Sequence, residues 1–146
     1  MTKAIYFDMD GTISNLYGVE NWLENLRAEN PMPYEKAAPL LQLNQLAKIL
    51  NILQKKGWII GIVSWLSKNS SENYGLEVTK AKNNWLKSHL RSVNFDEIKI
   101  VPYGTPKETI VDYPNGILFD DELKNRENWT GTAFDETQIL EVLKAL

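Results

Sequence analysis

The sequence predicts an α/β fold built on a mostly parallel sheet. Short apolar runs rich in β-branched and aromatic residues alternate with longer segments whose apolar residues recur at helical spacing. This alternation is typical of layered folds in which helices connect parallel strands and cover the sheet. The length of 146 residues is that of an ordinary domain, so we expect residues 1–146 to form a single domain.

Strands are predicted at four apolar runs that are bounded by polar residues, glycine or proline. Each run has strand length, and its β-branched or aromatic content favours a buried strand. The runs are residues 4–7, 58–63, 98–101 and 117–119.

Three segments are predicted to be helical. Residues 40–56 repeat leucine at helical spacing and stop at Gly57, a residue type favoured just past a helix end. Residues 77–90 carry a weaker apolar stripe. Residues 136–146 follow Asp135, whose carboxylate is a good N-cap for a helix.

Residues 15–39 fit neither the first strand nor the helix that follows. Their apolar residues have helical spacing, and a Pro-Met-Pro break closes the segment. We predict a short helical, cap-like insertion that leans over the end of the first strand. Trp22, Arg27 and Tyr34 are open to two interpretations: a base-stacking pocket with a cationic rim, or a helix packed against its own domain.

Composition excludes several classes of protein. Hydrophobic residues make up 43% and charged residues 24%, which indicates a folded chain, and the net charge of -3 comes without the basic face that extended duplex binding requires. The absence of cysteine excludes disulfides and thiolate metal sites, and the single histidine, His89, is expected on a helix surface. The apolar run near the amino terminus is too short for a signal peptide or membrane span, so we expect a cytoplasmic protein without membrane association. The oligomeric state stays open.

Acids and a hydroxyl follow the predicted strands. Asp8 and Asp10 follow the first run, Ser64 follows the second, and Asp120 and Asp121 follow the last. The carboxyl ends of parallel strands meet at one edge of a sheet, where ligands bind. Carboxylates that close together cannot all stay ionised unaided, and oxygen ligands without thiolates favour Mg²⁺ over Zn²⁺.

With a metal present, this site can cleave a phosphate ester. Asp8 is the predicted nucleophile, which forms an aspartyl phosphate, and Asp10 is the predicted general acid and base. Gly11 permits a tight turn whose amide can hold phosphate oxygens. Ser64 and Lys107 are the candidate donors to the phosphate. Ordinary alternatives stay open, because Ser64 could cap a turn and Lys107 could be a solvated surface lysine.

The ordered set of Asp8-Met9-Asp10-Gly11-Thr12, Ser64, Lys107 and Asp120-Asp121 resembles the four motifs of the haloacid dehalogenase (HAD) superfamily. The resemblance spans nearly the whole chain. It implies a three-layer, Rossmann-like fold with helices on both faces of the sheet. It also implies that Asp8 is nucleophile and metal ligand, and that Asp10 places its backbone carbonyl on Mg²⁺.

The remaining motif residues complete the implied site. Ser64 and Lys107 would contact the substrate phosphate, and we expect the same of Gly11 and Thr12. Asp120 and Asp121 would complete the metal site, and the doublet leaves open which of them binds the metal directly. They could also cap a short helix at residues 122–126, which is compatible with metal binding. The second aspartate of the first motif favours phosphatases over dehalogenases.

The insertion and the closing Phe-Asp-Asp resemble small 5'(3')-deoxyribonucleotidase-like members from bacteria and phages. The predicted function is therefore Mg²⁺-dependent hydrolysis of a small phosphorylated metabolite, such as a (deoxy)nucleoside monophosphate. One alternative is a phosphatase for nucleic-acid ends, whose large substrate would itself shield the site. Others are a phospho-receiver domain, in which the acids normally occur in a different order, and a binding protein without turnover.

Overall fold

Five strands form a parallel central sheet in the computed structural model, which describes residues 2–146. In chain order the strands are β1 (Ala4–Phe7), β2 (Ser14–Asn15), β3 (Ala38–Pro39), β4 (Ile59–Trp65), β5 (Glu97–Val101), β6 (Ile117–Phe119) and β7 (Thr132–Phe134). The sheet order is β5-β4-β1-β6-β7, and every neighbouring pair is parallel. Helices flank the sheet, so the predicted α/β fold is confirmed.

Six α-helices connect or flank these strands. In chain order they are α1 (Trp22–Arg27), α2 (Met32–Lys36), α3 (Leu43–Lys55), α4 (Glu72–His89), α5 (Leu123–Asn128) and α6 (Ile139–Lys144). Within residues 2–146 no helix combines the length and apolar character that a membrane crossing needs. The helix predicted at residues 40–56 is present as the slightly shorter α3.

Helix α4 begins at Glu72 and not at residue 77, so the predicted start was wrong. Ser71 caps this end, because its hydroxyl accepts a hydrogen bond from the Tyr74 backbone N–H at 3.2 Å. The helix continues through Gly75, where a Cβ would lie 3.3 Å from the Leu66 side chain. A glycine that obscures the helix pattern in the sequence therefore allows close packing here.

The insertion contains more helix than its sequence pattern predicts. The Pro-Met-Pro segment does not end it, because α2 begins at Met32 with Pro33 in its first turn. Proline is tolerated there, since the first backbone N–H groups of a helix have no partner within it. The antiparallel ribbon of β2 and β3 pairs Ser14 with Pro39 and Asn15 with Ala38, so it closes the base of the insertion.

The carboxyl-terminal segment differs in detail from the predicted helix at residues 136–146. Asp135 does cap it, accepting from the Thr137 backbone N–H at 2.9 Å, but the first turn is 3₁₀ and α6 starts only at Ile139. Strand β7 was not predicted, because Thr132–Phe134 is short and has no run of β-branched residues.

Two buried clusters lie on either side of β1. Ile5 and Phe7 belong to the cluster that contains the apolar stripes of α3 and α6, whereas Tyr6 packs with Trp129, at a ring-centroid distance of 5.6 Å. Alternate residues of a strand point to opposite faces, so every residue of β1 is buried. The central strand is therefore a rigid base for the residues that follow it.

Candidate active site

Three strand ends place polar side chains at one edge of the sheet. Asp8 directly follows β1, Ser64 lies near the end of β4, and Asp120 directly follows β6. Because β1 lies between β4 and β6, the three side chains meet around the end of the central strand. All three are buried, and Ser64 and Asp120 are fully enclosed.

Asp8, Asp120 and Asp121 form an acid cluster, in which one carboxylate oxygen of each lies within 4.8 Å of the others. Lys107 Nζ donates to Asp8 Oδ1 at 3.0 Å and to Asp120 Oδ2 at 2.7 Å. The Asp10 carboxylate is outside this acid cluster. The two aspartates of the first motif therefore have different surroundings.

Lys107 reaches the acid cluster from a 3₁₀ turn between β5 and β6. The loop before it is fixed by the Trp65 indole N–H, which donates to the Thr105 carbonyl at 2.8 Å. Burial lowers the pKa of Lys107, but the carboxylates of Asp8 and Asp120 outweigh burial and raise this pKa above its usual value. Lys107 is thus a buried, charged member of the site and not a solvated surface lysine.

Thr12 and Gly11 connect the acid cluster to the loop after β1. Thr12 Oγ1 lies 3.0 Å from Asp8 Oδ2 and accepts from the Asp121 backbone N–H at 3.1 Å. Gly11 has a φ of 79°, and a Cβ there would collide with the Asp121 carboxylate, so glycine permits this approach. The Gly11 N–H donates to the Ser14 carbonyl at 2.8 Å. The hydrogen bonds of Thr12 and Gly11 are thus made to other residues of the protein. Contact of either residue with a substrate phosphate stays a prediction.

Asp120 also organises the start of α5. Its Oδ1 accepts from the Glu122 backbone N–H at 3.0 Å, and its Oδ2 accepts from the Asn125 side chain at 3.1 Å. The helix it supports begins at Leu123. The N-cap of this helix is Glu122, and among residues 2–146 no side chain caps it, so the predicted capping by Asp120 or Asp121 was wrong. Asp120 instead supports the turn that precedes the helix.

The site carries more negative than positive charge. Burial, followed by the charge of Asp8, raises the pKa of Asp121 to about 8 and that of Asp120 to about 6. Burial also raises the pKa of Asp10. When all four aspartates are ionised, the two buried lysines leave an excess of two negative charges. Clustered carboxylate oxygens with this charge suit a hard divalent cation such as Mg²⁺.

These raised pKa values predict how metal-free stability depends on pH. Asp120 and Asp121 have a pKa of 3.8 in the unfolded chain and of about 6 and about 8 in the folded protein, so the folded protein binds their protons more tightly. The stability that this proton binding contributes is fully present below pH 3.8, and it is lost as the pH rises through about 6 for Asp120 and about 8 for Asp121. We expect the free energy of unfolding in EDTA to fall over this range. Denaturant titrations at several pH values measure it, and an Asp121→Asn variant should show a smaller slope. An unchanged slope in that variant would contradict the prediction.

A cavity of about 580 Å³ lies between the acid cluster and the insertion. Two aromatic pairs contribute to its walls: Tyr17 with Trp22 from the insertion, and Trp65 with Tyr103 from the body, each with a ring-centroid distance of 4.9 Å. Arg27 also lines it. The cavity therefore combines a polar, charged floor with aromatic walls.

The insertion is tied to the segment between β4 and α4. The Glu29 carboxylate accepts from the Ser71 backbone N–H at 2.8 Å and from its hydroxyl at 2.6 Å, and the Tyr34 hydroxyl lies 2.5 Å from Ser67 Oγ. Trp22, Arg27 and Tyr34 all line the cavity, and Tyr34 is in addition buried. Packing against the domain and a place in the cavity wall therefore occur together at Tyr34, and base stacking stays a prediction.

Lys82 of α4 is a site residue that the sequence analysis missed. Its side chain is only 1% exposed, and its ammonium contacts Asp10 and Ser64. A signal was available, because Lys82 falls at helical spacing between Val78 and Trp85 of the apolar stripe. A lysine on the buried side of a helix needs a partner of opposite charge.

Comparison with known proteins finds similarity at the level of structure. No family model and no curated protein matches the sequence. The D,D-heptose 1,7-bisphosphate phosphatase from Burkholderia thailandensis has 14% identity and a TM-score of 0.50, over 86% of this chain and 70% of that one. The chain shares the fold of this phosphatase. The HAD domain of the effector protein Lem4 from Legionella pneumophila has 16% identity and a TM-score of 0.41, over 92% of this chain and 84% of that one.

Proposed function

We propose that this protein is a HAD-superfamily phosphatase that hydrolyses phosphate monoesters through an aspartyl phosphate on Asp8. The observation that carries the proposal is the position of the Asp8 carboxylate. It follows the central strand, pairs with Lys107 and belongs to the acid cluster, and the cavity opens beside it. A nucleophile, a fixed cation and a set of metal-binding oxygens therefore occur within one small volume.

Mg²⁺ is the proposed cofactor, held by Asp8, Asp120 and Asp121. A bound Mg²⁺ would supply positive charge that draws a phosphate towards an otherwise repulsive set of carboxylates. The donor set and the excess of negative charge both fit such an ion. Zn²⁺ is disfavoured, because thiolate and imidazole ligands are absent from the cluster.

The protein groups around Asp8 have separate parts in the reaction. An Asp8 oxygen attacks the phosphorus while the ester bond breaks, and Asp10 gives a proton to the leaving oxygen. Lys107 keeps the carboxylates of the acid cluster partly neutralised. Ser64 Oγ accepts from Lys82 at 2.8 Å, which leaves its own hydroxyl hydrogen unused by this contact. Ser64 is fully enclosed and is not one of the residues that line the cavity, so its contact with a phosphate oxygen stays a prediction.

The proposed substrate is a small phosphorylated metabolite such as a (deoxy)nucleoside monophosphate. The cavity has a volume within the usual range for small-molecule sites, about 300 to 1,000 Å³. Its aromatic walls suit a planar base, and Arg27 suits a polar or anionic substituent. Side chains of the insertion line the cavity together with those of the body, which favours a small substrate over the end of a nucleic acid.

Phosphate release from a panel of esters tests the proposed function. The panel contains deoxy- and ribonucleoside monophosphates, a sugar phosphate, p-nitrophenyl phosphate and a 3′-phosphorylated oligonucleotide, each assayed with Mg²⁺ and with EDTA. We expect Mg²⁺-dependent release with preference for a nucleoside monophosphate. Preference for the oligonucleotide would support the alternative substrate. No release from any ester would overturn the proposed activity and favour a receiver or binding role.

Trp22 is expected to contribute to binding and not to the chemistry. We expect Trp22→Ala to raise KM for a nucleoside monophosphate about tenfold, since stacking on one base is worth about 1 to 3 kcal/mol, and to leave kcat nearly unchanged. The control variant Tyr113→Ala removes an aromatic ring outside the cavity. The KM for the sugar phosphate, which has no aromatic ring, tests whether the effect depends on the base. A fall in kcat with unchanged KM would contradict this role.

A further inference from the structure

Lys82 has every ammonium hydrogen engaged. Its Nζ donates to Asp10 Oδ2 at 2.8 Å, to Ser64 Oγ at 2.8 Å and to the Trp65 carbonyl at 2.6 Å. An ammonium group has three hydrogens, so these acceptors account for all of them. The side chain therefore has one preferred position, within the apolar stripe of α4.

Lys82 forms its ion pair with a different carboxylate from those that Lys107 contacts. Lys107 contacts Asp8 and Asp120 of the acid cluster, whereas Lys82 contacts Asp10, which lies outside it. Only Oδ2 of Asp10 is engaged, and among the described residues no group donates to its Oδ1. Asp10 lines the cavity and is partly exposed, so Oδ1 is the oxygen left for an incoming molecule.

Tyr34 of the insertion covers Lys82. The ring of Tyr34 lies over Lys82, with Nζ 5.2 Å from the ring centroid, and Tyr34 is itself buried. A cation against an aromatic face is favourable, and exclusion of water strengthens the ion pair with Asp10. The insertion thus helps to fix Lys82 as well as to line the cavity.

We propose that Lys82 is a positioning residue that holds Oδ2 of Asp10 so that Oδ1 meets the leaving oxygen of the substrate. This proposal rests on the proposed phosphatase function. In the first step Asp8 bonds to phosphorus, the ester P–O bond breaks, and Asp10 protonates the departing oxygen. In the second step water attacks the aspartyl phosphate and gives a proton to Asp10 as the bond to Asp8 breaks and inorganic phosphate leaves. Lys82 keeps its protons throughout.

The dependence of rate on the leaving group tests this role. An alkyl phosphate needs protonation of its leaving oxygen, whereas p-nitrophenolate leaves with little help. Because general acid catalysis contributes about 10² to 10⁴-fold, we expect Lys82→Met to slow attack on an alkyl ester at least about 100-fold and attack on p-nitrophenyl phosphate less than about tenfold. Rapid-quench single-turnover assays measure both rates. The second step also needs Asp10, so the aspartyl phosphate should accumulate with p-nitrophenyl phosphate.

Two further variants serve as a control and as a partial rescue for Lys82→Met. Lys80→Met changes an exposed lysine on the same helix and should behave like the wild type. Lys82→Gln keeps a donor for Asp10 without the charge and should recover at least about tenfold of the alkyl-ester rate lost in Lys82→Met. Circular dichroism and thermal unfolding establish that each variant is folded.

Equal losses on both esters in folded Lys82→Met, or no recovery in Lys82→Gln, would overturn the positioning role while leaving the phosphatase function intact. If Lys82→Met fails to fold, the comparison of Lys82→Gln with the wild type tests the positioning role. We then expect Lys82→Gln to lose more rate on the alkyl ester than on p-nitrophenyl phosphate. Absence of turnover in the wild type would overturn the proposed function and this role together.

Discussion

Asp8→Asn is expected to abolish phosphate release, with kcat lowered about 10⁴-fold or more, as is found when a covalent nucleophile is removed. The carboxamide keeps the shape of the carboxylate but is a far weaker nucleophile. It also removes one of the charges that crowd the acid cluster. We therefore expect the variant to fold, and circular dichroism together with the thermal midpoint checks this.

The matched control for this variant is Asp112→Asn. Asp112 is exposed and lies outside the cavity, so the same change of chemistry there should leave the rate unaltered. Phosphate release by a preparation of Asp8→Asn shown by mass spectrometry to be free of deamidated protein would rule out Asp8 as the nucleophile.

Lys107→Met is expected to damage both activity and stability. It leaves Asp120, which is fully buried, and Asp8, which is 6% exposed, without their shared ammonium. Removing one partner of a buried ion pair costs about 3 to 5 kcal/mol, so the free energy of unfolding in EDTA should fall by this order. We expect kcat/KM to fall about 10³-fold, since a fixed cation near the transferred phosphate is also lost.

Denaturant titrations in EDTA and in Mg²⁺ measure the stability effect. A metal ion adds positive charge to the same carboxylates, so Mg²⁺ should stabilise Lys107→Met by more than it stabilises the wild type. Lys124→Met, at an exposed position on α5, is the control. A loss of stability below about 1 kcal/mol, the range of exposed ion pairs, would show that Lys107 is not the buried counter-charge.

Much of the sheet could be predicted because the decisive information is local. Each predicted strand is an apolar run bounded by polar residues, and the acids stand directly after Phe7 and Phe119 in the sequence. A parallel sheet then brings those acids to one edge without further information. Strand β7 was missed because three residues of mixed character give no local signal, and its place is set by pairing with β6.

The parts of the site that could not be predicted from the sequence depend on contacts between distant segments. The Lys82 to Asp10 pair joins residues 72 positions apart, and the contact from Thr12 to Asp121 joins residues 109 apart. Such pairs follow from how α4 and the loops pack on the sheet, which no local pattern specifies. A lysine in the buried stripe of a helix predicts that an oppositely charged partner exists, but it does not predict which carboxylate that partner is.

Trapping of the phosphorylated enzyme is the most direct measurement. The protein is mixed with Mg²⁺ and p-nitrophenyl phosphate, quenched in acid within milliseconds and treated with borohydride, which reduces an aspartyl phosphate to homoserine that mass spectrometry locates. We expect homoserine at position 8 alone, dependent on both substrate and Mg²⁺. Phosphate release without homoserine at that position, or with homoserine at another aspartate, would contradict covalent catalysis by Asp8.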